Sequence, residues 1–329
     1  MKVVAVGGGT GLSTLLRGLK NYPFDITAVV TITDEGGSSG ILREELNVPP
    51  PGDIRNNLVA LANSESILSA LFNYRFQDGS LKGHSVGNII LAALTKITGS
   101  FAEAVAKASD ILAIKGRVLP VSLQMARLLA VFEDGAHVVG ETNIVEYCKK
   151  TKKRIVELKL HEPVRINPEV QKVLEESDAV IFGPGSLYTS VIANLVIEGF
   201  QECLKKSRAV KIYISNIMTQ PGETFGYTLS DHVAEIERYA GGSIDYIIHS
   251  FPPRNEEVLK KYIEKGSEPV KVDIDDNRII LGHYSSIIFE GEYRIRHDPI
   301  LISEILFNLL SSVKNQKTER ESSDLEVKL

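Results

Sequence analysis

The chain has 329 residues, with 37 basic against 42 acidic side chains (net charge -5), 43% hydrophobic and 24% charged residues, ordinary values for a globular protein with a sizeable core. The absence of a basic excess argues against a nucleic-acid partner, and no apolar run approaches the roughly 18 residues that span a bilayer, so no membrane segment is expected. Cys148 and Cys203 show neither CxxC nor Cys/His ligand spacing, and Met1 runs straight into Lys2–Val6 without a basic leader; the expectation is a cytoplasmic protein without a structural metal or disulfides.

Val3 to Val6 reads as a buried strand, Gly7 to Gly11 as a glycine turn, Leu12 to Leu19 as an apolar helix, and Ile26 to Thr33 as a second strand. Continuous rather than alternating β-branched runs belong to a parallel sheet covered on both faces, so the unit is βαβ. Between about 53 and 112 strand signals vanish, and Leu58, Leu61, Leu68, Leu71, Ile90, Leu94 and Ile97 recur at helical spacing, which predicts a helical insertion. Strands are expected again at 117–120, 128–132 and 154–160, with a hairpin through Asp134-Gly135. A second strand–glycine–helix unit follows: Ala179–Phe182, Gly183-Pro184-Gly185-Ser186, then a helix from Leu187 to about Lys206. Further strands are expected at 210–215, 246–248 and 270–274. Residues 1–312 therefore read as one Rossmann-like α/β domain, an open and mostly parallel sheet with helices on both faces, and 313–329 as a disordered polar tail.

The glycine turn carries the strongest chemical signal. Gly8, Gly9, Thr10 and Gly11 allow close backbone approach to an anion, and the following helix N-terminus offers free N–H groups. Leu12 replaces the third glycine of the dinucleotide fingerprint, and the chain has no Gly-Lys for a Walker loop. Asp34 ends the second strand and is followed by Gly36-Gly37-Ser38-Ser39-Gly40, a second source of N–H groups and hydroxyls. This stretch formally matches G-x-S-x-G, but it lacks an oxyanion segment before it. Asp53 is open to two roles, capping the next helix or facing a ligand or hydrated metal together with Asn56. Ser85 is a candidate cap, and His84 with Asn88 forms a candidate polar-ligand loop. Gly185, Ser186 and Thr189 repeat the glycine arrangement, while Asn216 and Gln220 offer amides for a base or sugar. Arg294, Arg296 and His297 are read as positive charge.

Taken in order, Gly7–Gly11, Thr33–Gly40, Pro50–Asn56, Gly83–Asn88, Gly183–Thr189 and Asn216–Glu223 resemble the gluconeogenesis-factor (YvcK) family, relatives of the 2-phospho-L-lactate transferases (CofD), over roughly residues 1–310. The resemblance implies a cytoplasmic bacterial protein that binds UDP-N-acetylglucosamine and acts on cell shape and wall-precursor supply during gluconeogenic growth. A protein partner in wall-precursor synthesis and homo-oligomer formation are admitted by it. The transferase branch implies a phospholactyl transfer from a guanylyl diphosphate donor to a deazaflavin, with Mg²⁺ as cofactor. Within the family pattern Tyr262 and Arg296 match a tyrosine and an arginine that contact the nucleotide sugar, whereas Glu35 replaces a second aspartate and Ser122 a threonine. The expected arrangement puts a diphosphate on the glycine turn, with Asp34, Ser38, Asn56 and Gly185–Thr189 around the remainder and Arg296 neutralising it.

Overall fold

The computed structural model describes residues 1–63 and 67–326. Its main sheet has seven strands, all parallel, and β1 (Lys2–Gly7) lies near the middle. On one side of β1 lie β2 (Asp25–Val30) and then β3 (Arg117–Pro120); on the other lie Ala179–Phe182, Val210–Ile214, Tyr246–Ser250 and Ile279–Gly282 in that order. Val3–Val6 are at most 2% exposed, the burial that a run covered on both faces requires. The chain leaves β1 in one direction and returns to its other side at Ala179–Phe182, so β1 borders the point where the winding reverses.

Helix α1 (Gly9–Leu19) follows the glycine turn, α2 (Gly37–Leu46) absorbs the Gly/Ser stretch that reads as a loop, and α3 (Gly52–Leu61) begins after the three prolines. Helices Ile67–Asn73, Val86–Thr98 and Phe101–Leu112 complete the segment between β2 and β3. Leu128–Phe132 pairs antiparallel with both His137–Val139 and Ile155–Leu160, and helix Glu141–Thr151 joins the last two. A hairpin, Ser285–Phe289 with Tyr293–His297, forms a separate two-stranded sheet.

Two expectations are corrected. Residues 270–274 are not a strand: the Val270 N–H bonds to Ile217 and the Lys271 carbonyl to Leu229, and the edge strand lies later, at Ile279–Gly282. The helix expected over 187–206 is interrupted. A π-helical turn, Leu187–Ile192, leads into Ala193–Leu195, and Gly199, at φ 92°, precedes a separate helix Phe200–Lys206. The segment read as a polar tail follows on from the last helix, Pro299–Glu326. Ile302, Leu306 and Leu310 anchor its first half in the core, so the polar continuation, rich in good helix formers, extends an existing helix instead of nucleating one. Residues 327–329 lie outside the described residues. Among the described residues no helix is long and apolar enough to cross a membrane.

Candidate functional site

The carboxyl ends of β1 and Ala179–Phe182 feed two glycine turns lying back to back. Gly9 has φ +59°, a conformation open to glycine, and α1 starts there without a side-chain cap. The Gly183 N–H donates to the Val6 carbonyl at 2.9 Å. A Cβ placed on Gly11 would sit 2.4 Å from the Pro184 carbonyl oxygen, so only a bare backbone lets the turns meet. Both open into one cleft of about 920 Å³. Of the expected site residues, Gly8, Gly9, Thr10, Gly11, Gly185, Ser186, Thr189, Asn216, Gln220, Tyr262 and Arg296 line this cleft.

The cleft walls are tied together by their own polar groups. Asn216 Nδ2 donates to the Gly185 carbonyl at 2.9 Å and Gln220 Nε2 to Ser186 Oγ at 2.9 Å, so these amides hold the two strand-end loops in register. Buried Glu223 accepts from the Tyr188 N–H (2.9 Å) and the Thr189 hydroxyl (2.6 Å), and burial raises its carboxyl above the usual range. Tyr262 Oη accepts the Ile295 N–H at 2.9 Å, fixing helix Glu256–Glu264 to the hairpin. Arg296 donates to Glu290 at 2.8 Å. His297 does not supply the positive charge expected of it. Full burial, together with neighbouring His249, pushes its imidazole down to about 3, which makes it neutral.

The other seven expected residues form a second polar group behind the Gly8 turn and do not line the cleft. A Cβ on Gly8 would lie 2.6 Å from Asp53 Oδ2, and one on Gly52 would lie 2.2 Å from Ser39 Oγ and 2.9 Å from Asp34 Oδ2. Asp34, Ser39 and Asp53 thus converge at the start of α3. Asp53 makes no capping bond to α3; it accepts the Gly9 N–H, so one amide of the glycine turn is already engaged. Burial, and then Asp34, push the Asp53 carboxyl up to about 7. Ser38 Oγ is bonded to His84 Nδ1 at 3.0 Å and accepts from Asn88 Nδ2 at 3.2 Å. Asn56 accepts from the neighbouring Arg55 guanidinium, and Ser85 caps its helix by accepting the Asn88 N–H at 3.2 Å. Glu35 pairs with Arg127 at 3.1 Å and with Arg43 at 3.7 Å.

Several cleft residues carry no signal in the sequence. Glu141 lines the cleft at the start of its helix, and burial, then Asp34, Asp53 and Glu223, raise its carboxyl well above the usual range. Lys149 and Lys152, from the end of the same helix, and Lys265 complete the rim. Glu223 closes the Asn216–Glu223 motif and could have been found from it; the lysines read only as a solvated basic run.

The family model for 2-phospho-L-lactate transferase CofD matches residues 3–283. A Thermotoga maritima protein named "Putative gluconeogenesis factor" is 55% identical over 312 residues, covering 93% of this chain and 98% of its own. The Bacillus subtilis "Gluconeogenesis factor" is 44% identical over 314 residues, 94% of this chain and 98% of its own. The crystal structure of a Bacillus halodurans protein of the UPF0052 family is similar with a TM-score of 0.85 at 42% identity, over 92% of this chain and 98% of that one.

Proposed function

Since the chain belongs to the CofD family, among the gluconeogenesis factors, we propose that it is a cytoplasmic regulatory protein that binds a nucleotide diphosphate sugar, UDP-N-acetylglucosamine. Its role is in cell shape and wall-precursor supply during gluconeogenic growth, exerted through a protein partner in wall-precursor synthesis. One observation carries the reading: two glycine turns from neighbouring parallel strands open, at the reversal point of the sheet, into one cleft of about 920 Å³. That volume lies in the range of small-molecule sites, roughly 300–1,000 Å³, and the N-terminus of α1 supplies the positive end of a helix where a phosphate would sit. Binding needs no bond to be made or broken. Oriented amides and rim cations hold the diphosphate, and the hydrogen-bonded loops 185–190 and 216–223 shape the space for base and sugar. Calorimetric titration of the intact protein with UDP-N-acetylglucosamine tests the reading; saturable binding is expected, and its absence refutes the sugar assignment.

A second reading is favoured by the carboxylates behind the glycine turn. Asp34 lies beside Asp53 at the start of α3, and burial, then Asp34, raise the Asp53 carboxyl to about 7 against the opposing charge of Arg55. Among the described residues no group of three or more His, Cys, Asp or Glu can hold a metal ion. Mg²⁺, however, needs only one or two carboxylates when phosphate and water complete its shell, and Asp34 and Asp53 are the residues that would hold it. The ion would supply charge neutralisation for a phospholactyl transfer to a deazaflavin. Product formed from a guanylyl diphosphate donor and the deazaflavin would establish this activity.

A further inference from the structure

A diphosphate entering the cleft meets carboxyl groups as well as cations. Glu141 and Glu223 line it, and Asp53 already occupies the Gly9 N–H. On the hairpin wall every cation is engaged: Arg296 lies 2.8 Å from Glu290, and Arg294 and Lys265 each lie 2.5 Å from Glu292. To serve a ligand, each would have to share or surrender its carboxylate.

The opposite rim differs. The run from Lys149 to Arg154 carries five cations in six residues. Lys153 and Arg154 turn away to Glu133 and Asp231. Lys149 and Lys152 line the cleft, and among the described residues neither has a carboxylate partner. The stem of Lys149 lies along the 219–223 loop, where a Cβ on Gly222 would be 3.4 Å from its Cε. The Lys152 ammonium lies 5.4 Å from the centre of the Phe225 ring, and its residue turns the chain in the left-handed region (φ 57°) as helix Glu141–Thr151 ends.

We infer that Lys149 and Lys152 are the residues that neutralise the ligand's diphosphate, reaching over it from the antiparallel insertion while the glycine turns hold its other side. An unpaired ammonium gains the full attraction to a phosphate, whereas a paired guanidinium gains only the difference between two anions. The ligand class follows: the cleft selects molecules with a diphosphate over the neutral sugar or nucleoside. The inference deepens the nucleotide-sugar reading and rests on it for the ligand's identity, though it concerns the diphosphate alone.

The test is calorimetric titration of the intact wild type and of the Lys149→Met/Lys152→Met variant with UDP-N-acetylglucosamine and with inorganic pyrophosphate, each at low and high salt. The variant is expected to bind both probes about ten- to a hundredfold more weakly, the range of charged hydrogen bonds, and to lose most of the salt dependence. The Lys149→Arg/Lys152→Arg variant should retain binding. Unchanged affinity in the methionine variant overturns the lysine assignment and leaves the nucleotide-sugar reading standing. Wild-type binding of pyrophosphate alone, lost in the methionine variant, supports the lysine assignment and overturns the sugar. A wild type that binds neither probe overturns both.

Discussion

Replacing Glu223 by alanine removes the acceptor around which the second glycine loop is folded. The side chain is 3% exposed and receives the Tyr188 N–H at 2.9 Å, the Thr189 N–H at 3.4 Å and the Thr189 hydroxyl at 2.6 Å. The hydroxyl can rotate to another acceptor, but the two amides cannot, and each buried N–H left unmade costs about 1–3 kcal/mol. Relief of the buried carboxyl's own desolvation offsets part of that loss, since burial is the main reason its proton is held more tightly. The net expectation is a loss of about 2–4 kcal/mol for Glu223→Ala, against about 1 kcal/mol for Glu223→Gln, which retains a carbonyl acceptor. Urea unfolding of both variants beside the wild type measures the difference as a shift of midpoint at constant slope. If alanine and glutamine prove equally mild, Glu223 does not organise the loop, and the account of the cleft wall fails.

Two further outcomes are expected. In the folded state Asp53 holds its proton up to about 7, against 3.8 for the free side chain, so its contribution favours folding below pH 4 and fades as pH rises through 7. The stability of the wild type relative to Asp53→Asn should therefore fall between about pH 4 and 7; parallel urea midpoints across that range would contradict the assignment. At Gly18 a new Cβ would meet the Pro299 carbonyl oxygen at 1.9 Å and Ser303 Oγ at 2.2 Å, prising α1 from the last helix. Gly18→Ala should thus lose about 1–3 kcal/mol in thermal or urea unfolding despite alanine's better helix propensity, and a stability equal to wild type would show that the helices part freely.

What the sequence made legible was what local chain geometry decides. Val3–Val6 and Ala179–Phe182 are buried on both faces, so each carries the continuous apolar run that identifies a central strand. Residues directly after those strands, Gly8–Gly11 and Gly185, Ser186 and Thr189, had to lie at the carboxyl edge of the sheet, and they do line the cleft. Ser38, His84 and Asn88 depend on how α2 and helix Val86–Thr98 pack, and that packing turns them towards one another. The Asp53 carboxylate sits near the N-terminus of one helix yet serves the first turn of another, which periodicity cannot indicate. Glu141, Lys149 and Lys152 reach the cleft only because the antiparallel insertion folds over it. His297 follows two arginines in sequence, but burial beside Ser215 and His249 removes the charge its neighbours suggest.

The central position of β1 has a consequence for biosynthesis. β1 waits for one of its two neighbours until residues 179–182 exist, and although α3 covers part of α1 early, the face of α1 that meets the helix beginning at Pro299 waits for that helix. A nascent chain on the ribosome therefore carries an unfinished edge through much of its translation, the condition under which chaperone capture and off-pathway association compete with folding. Native closure is a late event, sealed when the helix beginning at Pro299 packs onto α1.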